Sequence, residues 1–381
     1  MQMVQRPQVK PEHTPYRTAG ARIRIGGVAY GAAAELEDPT GAVWTMLGAA
    51  DGTRSPHDIL TTVRGVHPDL DPQWLESWLD TLCASPHLED AGAAAPAAVT
   101  SRDRIRHDRG RRLLRWMDPR PGVQPWAAQA RLRASTAVVL GVGGTGAAAA
   151  TALAASGVGR LVLVDGDHVE LSNLGRQVLY TEADVGQPKT EVAAARLRSL
   201  NRDIAVDVEA RRVELPAEVA ALAAAADVLL LCADTPRDLR IRVNRGCLQA
   251  GTAWVDAGYH GPLVQASAYT PGTSACWECV RTVEADRHRA IRAVGADTAA
   301  AAVHPNAVNA VSAGMSGHLA AHLAISLLTG IPALHHGTVY TINLLNPAAT
   351  PVHHSTPQRA DCPACGNHPG GPPPTPGRNP T

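Results

Sequence analysis

The segment AVVLGVGGTGAAAATAL, residues 137–153, decides the fold of this 381-residue chain. A Val-rich apolar run is followed by a glycine-rich loop and then by an alanine-rich stretch typical of a helix. Glycine permits the tight strand-to-helix turn and lets backbone N–H groups approach a phosphate at the helix N-terminus. The loop therefore predicts a nucleotide site at Gly141, Gly143, Gly144 and Gly146. Taken alone, it also fits a dinucleotide-binding dehydrogenase.

Short apolar runs and helical segments alternate on both sides of this loop. The predicted strands are Thr136–Leu140, Leu161–Asp165, Ala205–Glu209, Val228–Cys232 and Ala253–Asp256. A long apolar helix over 306–328 and a last strand over 338–345 follow. Such alternation predicts an α/β fold with a Rossmann-like, doubly wound, mainly parallel sheet.

Composition shifts divide the chain into further segments. Residues 1–19 are polar and contain three prolines, so we expect a disordered arm. Residues 20–92 show a strand–strand–helix–helix–helix pattern, which predicts a small winged-helix-like domain. Residues 93–104 are expected to be a linker, residues 105–365 the sheet domain and residues 366–381 a disordered tail.

Charge and hydropathy exclude several classes of partner. Lys+Arg and Asp+Glu are both 35, so no global charge attracts nucleic acid or a membrane surface. We find neither a transmembrane run nor a secretory signal, and so expect a cytoplasmic protein. Only two of the 35 basic residues are lysines, Lys10 and Lys189. Lys10, in the polar arm, has no predicted role, whereas a lysine retained at position 189 indicates a site that requires an ammonium group.

The segment LVLVDGDHVELSNLGRQVLYTEADVGQPKTEVAAARLRSLN, residues 161–201, contains a D-x-D pair, then N-L-x-R-Q and then D-V-G-x-x-K. Residues 229–251, LLLCADTPRDLRIRVNRGCLQAG, add a D…R-x-x-x-N-x-x-C element. With the glycine loop, these motifs resemble the ThiF/MoeB/HesA family, the bacterial relatives of ubiquitin-activating enzymes. The resemblance covers roughly residues 105–365.

This resemblance implies an ATP-binding site and assigns roles to the matching residues. Asp165 would bind the ribose of ATP, with Asp167 beside it. Asn173 and Arg176 would contact the phosphates, and Gln177 would support Arg176. The alternatives are structural: Asp167 and Arg176 are then capping residues of neighbouring turns.

Three further residues complete the implied site. Lys189 would contact the phosphates and Asp234 would hold Mg²⁺ on the triphosphate. RHDRGRRLL, residues 106–114, resembles the segment that supplies an arginine to the γ-phosphate of the other protomer. Arg109 is the best match, so a homodimer with Arg109 acting in trans is implied. Alternatively, Lys189 is a surface lysine at a helix start and Asp234 a turn residue at a strand end.

Four of the seven cysteines form two C-x-x-C pairs, Cys276/Cys279 and Cys362/Cys365. This spacing suits tetrahedral Zn²⁺–thiolate binding, and a closed four-cysteine site is structural. Redox pairs or free thiols are the alternatives. No cysteine lies between Val280 and Val303, where related enzymes carry a transfer cysteine, so we do not expect a covalent thioester step.

The resemblance implies an ATP-dependent adenylyltransferase with ATP, Mg²⁺ and Zn²⁺ as cofactors. The winged-helix-like unit resembles recognition domains of enzymes that modify ribosomally made peptides. We therefore expect a peptide carboxylate to be activated as an acyl-adenylate with release of pyrophosphate. The alternatives are an activator of a small sulfur carrier protein ending in Gly-Gly and a non-catalytic leader-peptide-binding scaffold; we expect neither nucleic acid nor membrane as a partner.

Overall fold

The computed structural model describes residues 4–27, 33–291, 307–335, 337–346 and 352–366. The chain divides into two compact units, Met1–Arg131 and Leu132–Thr381. The predicted tail from residue 367 onward lies outside the described residues.

Short antiparallel strands and amphipathic helices form the first unit. In chain order its elements are β1 (Pro7–Val9), β2 (Tyr16–Thr18), β3 (Arg22–Ile25), β4 (Ala34–Glu37), α1 (Ala42–Ala49), α2 (Pro56–Val66), α3 (Pro72–Cys83), β5 (Leu88–Asp90), α4 (Ser101–Met117) and α5 (Ala127–Ala134), the last of which ends in the second unit. Strands β2, β3 and β4 form one sheet in that order, and β1 pairs with β5. Apolar residues of β3 and of helices α1 to α3 close a core around Ile23, Met46 and Leu75. Helices α1 to α3 correspond to the three helices of the pattern predicted for residues 20–92.

The N-terminal segment is folded where a disordered arm was expected. Strand β1 pairs antiparallel with β5, from Pro7 opposite Asp90 to Val9 opposite Leu88. Lys10 is buried, and its Nζ atom donates to the carbonyl oxygens of Arg115 and Asp118. These polar groups are satisfied by partners distant in sequence, which local composition does not reveal. The unit boundary at Arg131 also differs from the predicted one at residue 105, because α4 belongs to the first unit.

The second unit alternates strands and helices. Its elements are β6 (Thr136–Leu140), α6 (Gly144–Ser156), β7 (Arg160–Val164), α7 (Lys189–Leu200), β8 (Ala205–Glu209), α8 (Pro216–Ala224), β9 (Val228–Leu231), α9 (Leu239–Ala250), β10 (Trp254–His260), β11 (Leu263–Tyr269), α10 (Trp277–Ile291), α11 (Ala310–Thr329), β12 (Thr338–Asn343) and β13 (Val352–Ser355).

One eight-stranded sheet runs through the second unit in the order β13-β12-β11-β10-β9-β6-β7-β8. The strands from β10 to β8 pair in parallel, whereas β10 to β13 pair antiparallel. The mostly parallel α/β sheet is therefore confirmed, with an antiparallel extension whose strand β11 was not predicted. After β6 the chain first extends the sheet toward β8 and then returns to β9. This reversal creates a switch point at the carboxyl ends of β6 and β9, where open α/β sheets bind ligands.

Helix α11 is, among the described residues, the one helix long and apolar enough to cross a membrane. Half of its apolar window is buried inside the protein. A Cβ atom added at Gly317 would lie 2.3 Å from the carbonyl oxygen of Thr145, so α11 packs closely on α6. Thr145 and Ser316 also hydrogen-bond across this contact at 2.7 Å. These contacts identify α11 as a core helix that supports the glycine loop.

Candidate active site

The glycine loop lies at the switch point, between β6 and the N-terminus of α6. Gly141 has φ +91°, and a Cβ atom there would lie 2.7 Å from the Cβ atom of Ala233, just after β9. Gly143 caps α6, and Gly144 and Gly146 lie in its first turn. A Cβ atom at Gly144 would approach the Arg176 carbonyl oxygen to 2.9 Å. The structure therefore brings the four predicted glycines against both β9 and the segment that contains Arg176.

Two acidic residues follow β7 at the same edge of the sheet. Asp165 accepts hydrogen bonds from the backbone N–H groups of Val142, at 2.7 Å, and of Asp167, at 2.9 Å. Asp167 lies 3.2 Å from Nζ of Lys189 and 2.9 Å from a guanidinium nitrogen of Arg212. Partial burial raises the pKa of Asp167, but the Arg212 hydrogen bond and the charge of Lys189 outweigh it and leave the pKa below its ordinary value. Asp167 is thus an ionised carboxylate between two cations.

Lys189 is the first residue of α7, and its side chain is only 7% exposed. The Tyr180 hydroxyl donates to the Val142 carbonyl oxygen at 2.7 Å, and its oxygen also lies 3.3 Å from the Lys189 carbonyl oxygen. Tyr180 therefore ties the start of α7 to the glycine loop. The burial of the Lys189 side chain argues against the alternative that it is a surface lysine at the start of a helix.

The segment between β7 and α7 contains the three remaining residues of the predicted N-L-x-R-Q motif. Asn173 is buried and accepts a hydrogen bond from the backbone N–H of Glu170 at 3.2 Å. Arg176 donates to the Ser172 carbonyl oxygen at 3.1 Å, and burial raises the pKa of the nearby Tyr259 phenol although the Arg176 guanidinium opposes that shift. Gln177 is buried beside Gly143, and its Oε1 atom has no hydrogen-bond partner within the described part of the chain. A buried acceptor of this kind, next to a glycine loop, fits a ligand that brings a donor.

Asp234 follows β9, and its half-exposed side chain belongs to a row of charges. The guanidinium of Arg240 donates to Oδ1 of Asp234 at 3.0 Å and to both carboxylate oxygens of Asp256 at 3.1 Å. Asp256, on β10, is far less exposed than Asp234. The negative charge of Asp256 raises the pKa of Arg240 above its ordinary value, so this guanidinium stays charged. An exposed carboxylate oxygen at this sheet edge is the kind of ligand that Mg²⁺ prefers.

The four predicted metal ligands come together within the second unit. The Sγ atoms of Cys276, Cys279, Cys362 and Cys365 all lie within 4.8 Å of one another, and the four cysteines are free thiols. Individual Sγ–Sγ distances are 3.5 Å for Cys276–Cys362 and 3.9 Å for Cys276–Cys279. Zn–S bonds of ~2.3 Å in a tetrahedron require Sγ–Sγ distances of about 3.8 Å. The cluster, called the cysteine clip below, therefore fits a structural zinc ion.

The remaining cysteine of the sequence motif offers no reactive thiol. Cys247 is fully buried on α9, and burial raises its pKa well above the ordinary value. A thiol in this state is a poor nucleophile. The absence of a covalent thioester step stays a prediction.

Arg109 is placed differently from the other predicted site residues. It lies exposed on α4, in the first compact unit. Its action on a second protomer stays a prediction. Three other residues belong to the site although their roles were not predicted: Arg212, Tyr259 and Asp256. Asp256 was predicted only as the last residue of a strand.

Comparisons with known proteins agree with this geometry. The model of the ThiF family matches residues 120–364, more than half of the chain. The chain is 34% identical over 245 residues to Protein HesA of Leptolyngbya boryana, covering 63% of this chain and 80% of HesA. It is 35% identical over 206 residues to the sulfur carrier protein ThiS adenylyltransferase of Escherichia coli, covering 53% of this chain and 76% of that protein. It is also 34% identical to the bovine adenylyltransferase and sulfurtransferase MOCS3, covering 72% of this chain and 56% of MOCS3.

Solved structures extend the likeness in fold to nearly the whole chain. Escherichia coli MccB superposes with a TM-score of 0.76 at 22% identity, covering 95% of this chain and 97% of MccB. MccB solved with ATP gives a TM-score of 0.72 and covers 94% of this chain. PaaA gives a TM-score of 0.66 at 20% identity and covers 92% of this chain.

Proposed function

The chain belongs to the ThiF family and is an ATP-dependent adenylyltransferase, and we propose that its substrate is a carboxylate of a ribosomally made peptide. The proposal rests on one observation above all. The glycine loop, the buried Lys189 and the Asp234–Arg240 pair meet at the carboxyl ends of parallel strands in a single unit. The product would be an acyl-adenylate, formed in natural-product biosynthesis.

The reaction needs alignment and charge stabilisation more than proton transfer. A carboxylate oxygen attacks the α-phosphorus of ATP, a new P–O bond forms, and the bond to the bridging oxygen breaks as pyrophosphate leaves. Lys189 and Arg176 would stabilise negative charge on the phosphoryl oxygens, while Asp165 would bind the ribose. Asp167 keeps Lys189 in place before ATP binds. A carboxylate is already ionised at neutral pH, so the site requires no general base.

Mg²⁺ would be held by Asp234, the half-exposed carboxylate beside Arg240. When bound, it would neutralise charge on the triphosphate. Asn173 would contact the phosphates, and Gln177 would support Arg176. Zn²⁺ in the cysteine clip would be structural.

Two features support a peptide substrate. The likeness in fold to MccB, which has been solved with ATP and with MccA, covers both compact units of this chain. Strand β4 is an edge of the first unit's three-stranded sheet, and an added peptide strand is a common mode of recognition at such an edge. The winged-helix-like region, residues 20–92, would bind the leader part of the substrate. We also propose a cytoplasmic homodimer in which Arg109 reaches the γ-phosphate of the other protomer.

ATP–pyrophosphate exchange tests this function directly. Purified protein is assayed with Mg²⁺ and peptides encoded by neighbouring genes. We expect peptide-dependent exchange that Lys189→Ala and Asp234→Ala abolish. Nucleotide binding without AMP or pyrophosphate turnover, across these peptides, would contradict the proposal.

A second candidate substrate is a small sulfur carrier protein ending in Gly-Gly. The sequence similarity to the ThiS adenylyltransferase and to MOCS3 favours this substrate. Exchange stimulated by such a protein and by no peptide would select this alternative. The family assignment disfavours a non-catalytic scaffold.

A further inference from the structure

A polar pocket in the first unit is lined by none of the residues assigned above to ATP binding. Its volume is about 490 Å³, within the ~300–1,000 Å³ that ligand pockets occupy. Helix α4 lines one side, and the segments around Ala93 and Pro125 line the others. The arginine pocket, as it is called below, is defined by four lining arginines of α4: Arg104, Arg111, Arg112 and Arg115.

Arg115 is the most buried of the paired arginines, with a side chain only 8% exposed. Its Nε and Nη2 atoms donate to the carboxylate of Glu12, and its Nη1 atom donates to both oxygens of Glu89 at 3.0 and 3.3 Å. Glu89 also lines the pocket, but the guanidinium of Arg115 balances its negative charge. Arg115 is therefore a structural part of the wall, and we expect the other three arginines to contact a ligand.

Those three arginines carry more positive charge than their partners balance. Arg111 donates from Nε and Nη2 to Asp108, at 3.3 and 2.7 Å, and its guanidinium lies over the Trp126 ring, 4.8 Å from the centroid. Arg112 pairs with the same carboxylate at 2.8 Å. The guanidinium of exposed Arg104 makes no hydrogen bond or ion pair with the part of the chain that the structure describes. The pocket thus holds an arginine that is already oriented, Arg111, beside one that lacks a counter-ion.

Small side chains form the wall opposite this charge. Ala91, Ala93 and Ala95 all line the pocket, and alanine has no side-chain atom beyond Cβ. The carbonyl oxygen of Ala94 accepts a hydrogen bond from Nε2 of Gln124 at 3.2 Å, which fastens this wall to the loop before α5. The pocket therefore has one cationic side and one side that is smooth and weakly apolar.

The two walls together favour one kind of ligand. An extended peptide points alternate side chains to opposite sides. A segment with acidic side chains on one side and small ones on the other would pair its carboxylates with the arginines and pack on the alanines. A compact anion such as phosphate would use the arginines but leave the alanine wall without a partner.

We propose that the arginine pocket binds an acidic, extended segment of the peptide substrate, with Arg104 and Arg111 contacting its carboxylates. The inference rests on the proposed function in one respect, that a peptide is the substrate. It gives the first unit a chemical basis for selecting peptides, through negative charge.

Direct binding to the full-length protein tests this site, in the absence of nucleotide. The probe is a labelled, end-blocked peptide of alternating glutamate and alanine, and a peptide with glutamine in place of glutamate is its neutral counterpart. Fluorescence anisotropy at low ionic strength measures both affinities. We expect the glutamate peptide to bind at least about tenfold more tightly, because charge-assisted hydrogen bonds to arginine are the stronger kind. Added salt should reduce this difference.

Two variants locate the binding, and each has a matched control. Arg104→Gln should weaken the glutamate peptide about fivefold, the effect of one exposed ion pair. Arg64→Gln removes the same charge from α2, where Arg64 pairs with Glu76, and should have no effect. Ala93→Leu fills the pocket without changing its charge and should also weaken the peptide, whereas Ala97→Leu, at an exposed position outside the lining, should not.

Each contrary outcome has a distinct meaning. Equal affinities for the glutamate and glutamine peptides would overturn the inference, and so would unchanged binding in Arg104→Gln. An equal loss in Arg64→Gln would overturn it in favour of attraction by net charge alone. Inorganic phosphate that binds where the glutamate peptide does not, unaffected by Ala93→Leu, would overturn it in favour of a small-anion site. Peptide binding with the expected variant effects, but without any peptide-dependent ATP–pyrophosphate exchange, would contradict the proposed function alone.

Discussion

Lys10 donates from its Nζ atom to the carbonyl oxygens of Arg115 and Asp118, at 3.0 and 3.1 Å. These carbonyls lie at the C-terminal end of α4, where the helix dipole favours a cation. The contact joins the N-terminal segment to a helix more than 100 residues away in the sequence. A lysine in a polar, proline-containing leader is thereby a structural residue of the first unit.

Lys10→Met tests this contact. The variant keeps most of the aliphatic bulk but removes the Nζ donor from the buried Asp118 carbonyl oxygen and leaves the Arg115 carbonyl oxygen only the backbone N–H of Asp118. We therefore expect a loss of about 2 kcal/mol in the stability of the first unit. Hydrogen exchange in β1 and β5, followed in the full chain, would measure the change. Arg22→Gln, which breaks only exposed ion pairs with Glu35 and Glu37, is the control and should cost under about 0.5 kcal/mol. Equal protection in Lys10→Met and wild type would contradict the assignment.

Lys189→Arg tests why a lysine is retained at the active site. The Lys189 side chain is only 7% exposed, and its ammonium lies 3.2 Å from the carboxylate of Asp167. The broader, planar guanidinium of an arginine does not fit there in the same geometry. We expect ATP–pyrophosphate exchange to fall by about 10²–10³-fold, the cost of losing one transition-state donor. Arg196→Lys, farther along α7 and paired with Asp184, should keep the wild-type rate. Full activity of Lys189→Arg would refute this explanation.

A pair of buried histidines makes the first unit sensitive to acid. His13 and His87 approach to 2.9 Å through their Nδ1 atoms, and His13 donates from Nε2 to the Trp116 carbonyl oxygen. Burial, helped by the charges of His13 and Lys10, lowers the pKa of His87 to about 4. The pKa of a histidine in an unfolded chain is about 6.5. Unfolding therefore takes up a proton between these values, so stability is complete above about pH 6.5 and falls as the pH decreases toward 4.

The expected loss attributable to His87 is about 3 kcal/mol at pH 4, relative to pH 7. Thermal unfolding or hydrogen exchange of the first unit between pH 7 and pH 4 measures it. His87→Gln should flatten this dependence, whereas His57→Gln, at an exposed position of α2, should leave it unchanged. An identical acid profile for wild type and His87→Gln would show that other groups cause the loss.

Cys362→Ser tests the metal in the cysteine clip. Removing one of four thiolates leaves an incomplete set of ligands, so we expect loss of zinc and a lower thermal midpoint for the second unit. Metal analysis and calorimetry on the full chain measure both effects. Cys83→Ser, in the first unit, should retain one zinc per chain. Wild-type protein purified without zinc, and equally stable with chelator, would contradict a structural zinc site.

The sequence predicted the parallel half of the sheet because its strands are short, apolar and Val-rich, as in β6 and β9. Strand β11, which includes Gln265 and Ser267, alternates polar and apolar residues and gave no comparable signal. The same limit applied at the site. The glycine spacing and the motif around Lys189 can be recognised in the sequence, whereas the contacts of Arg212 with Asp167 and of Arg240 with Asp256 form only when separate segments of the chain meet.

The burial of both lysines has a practical consequence for amine chemistry. Lys10 and Lys189 are the only lysines in the sequence, and their relative exposures are 3% and 6%. Burial protects the Lys10 ε-amino group from an acylating reagent until the first unit opens locally, whereas the Lys189 amine, which would contact the phosphates of ATP, is reached through the nucleotide site. Because one lysine lies in each compact unit, the Lys10 labelling rate reports opening of the first unit, and the Lys189 labelling rate reports access to the nucleotide site of the second. The scarcity of lysine thus gives this chain one natural labelling reporter in each unit.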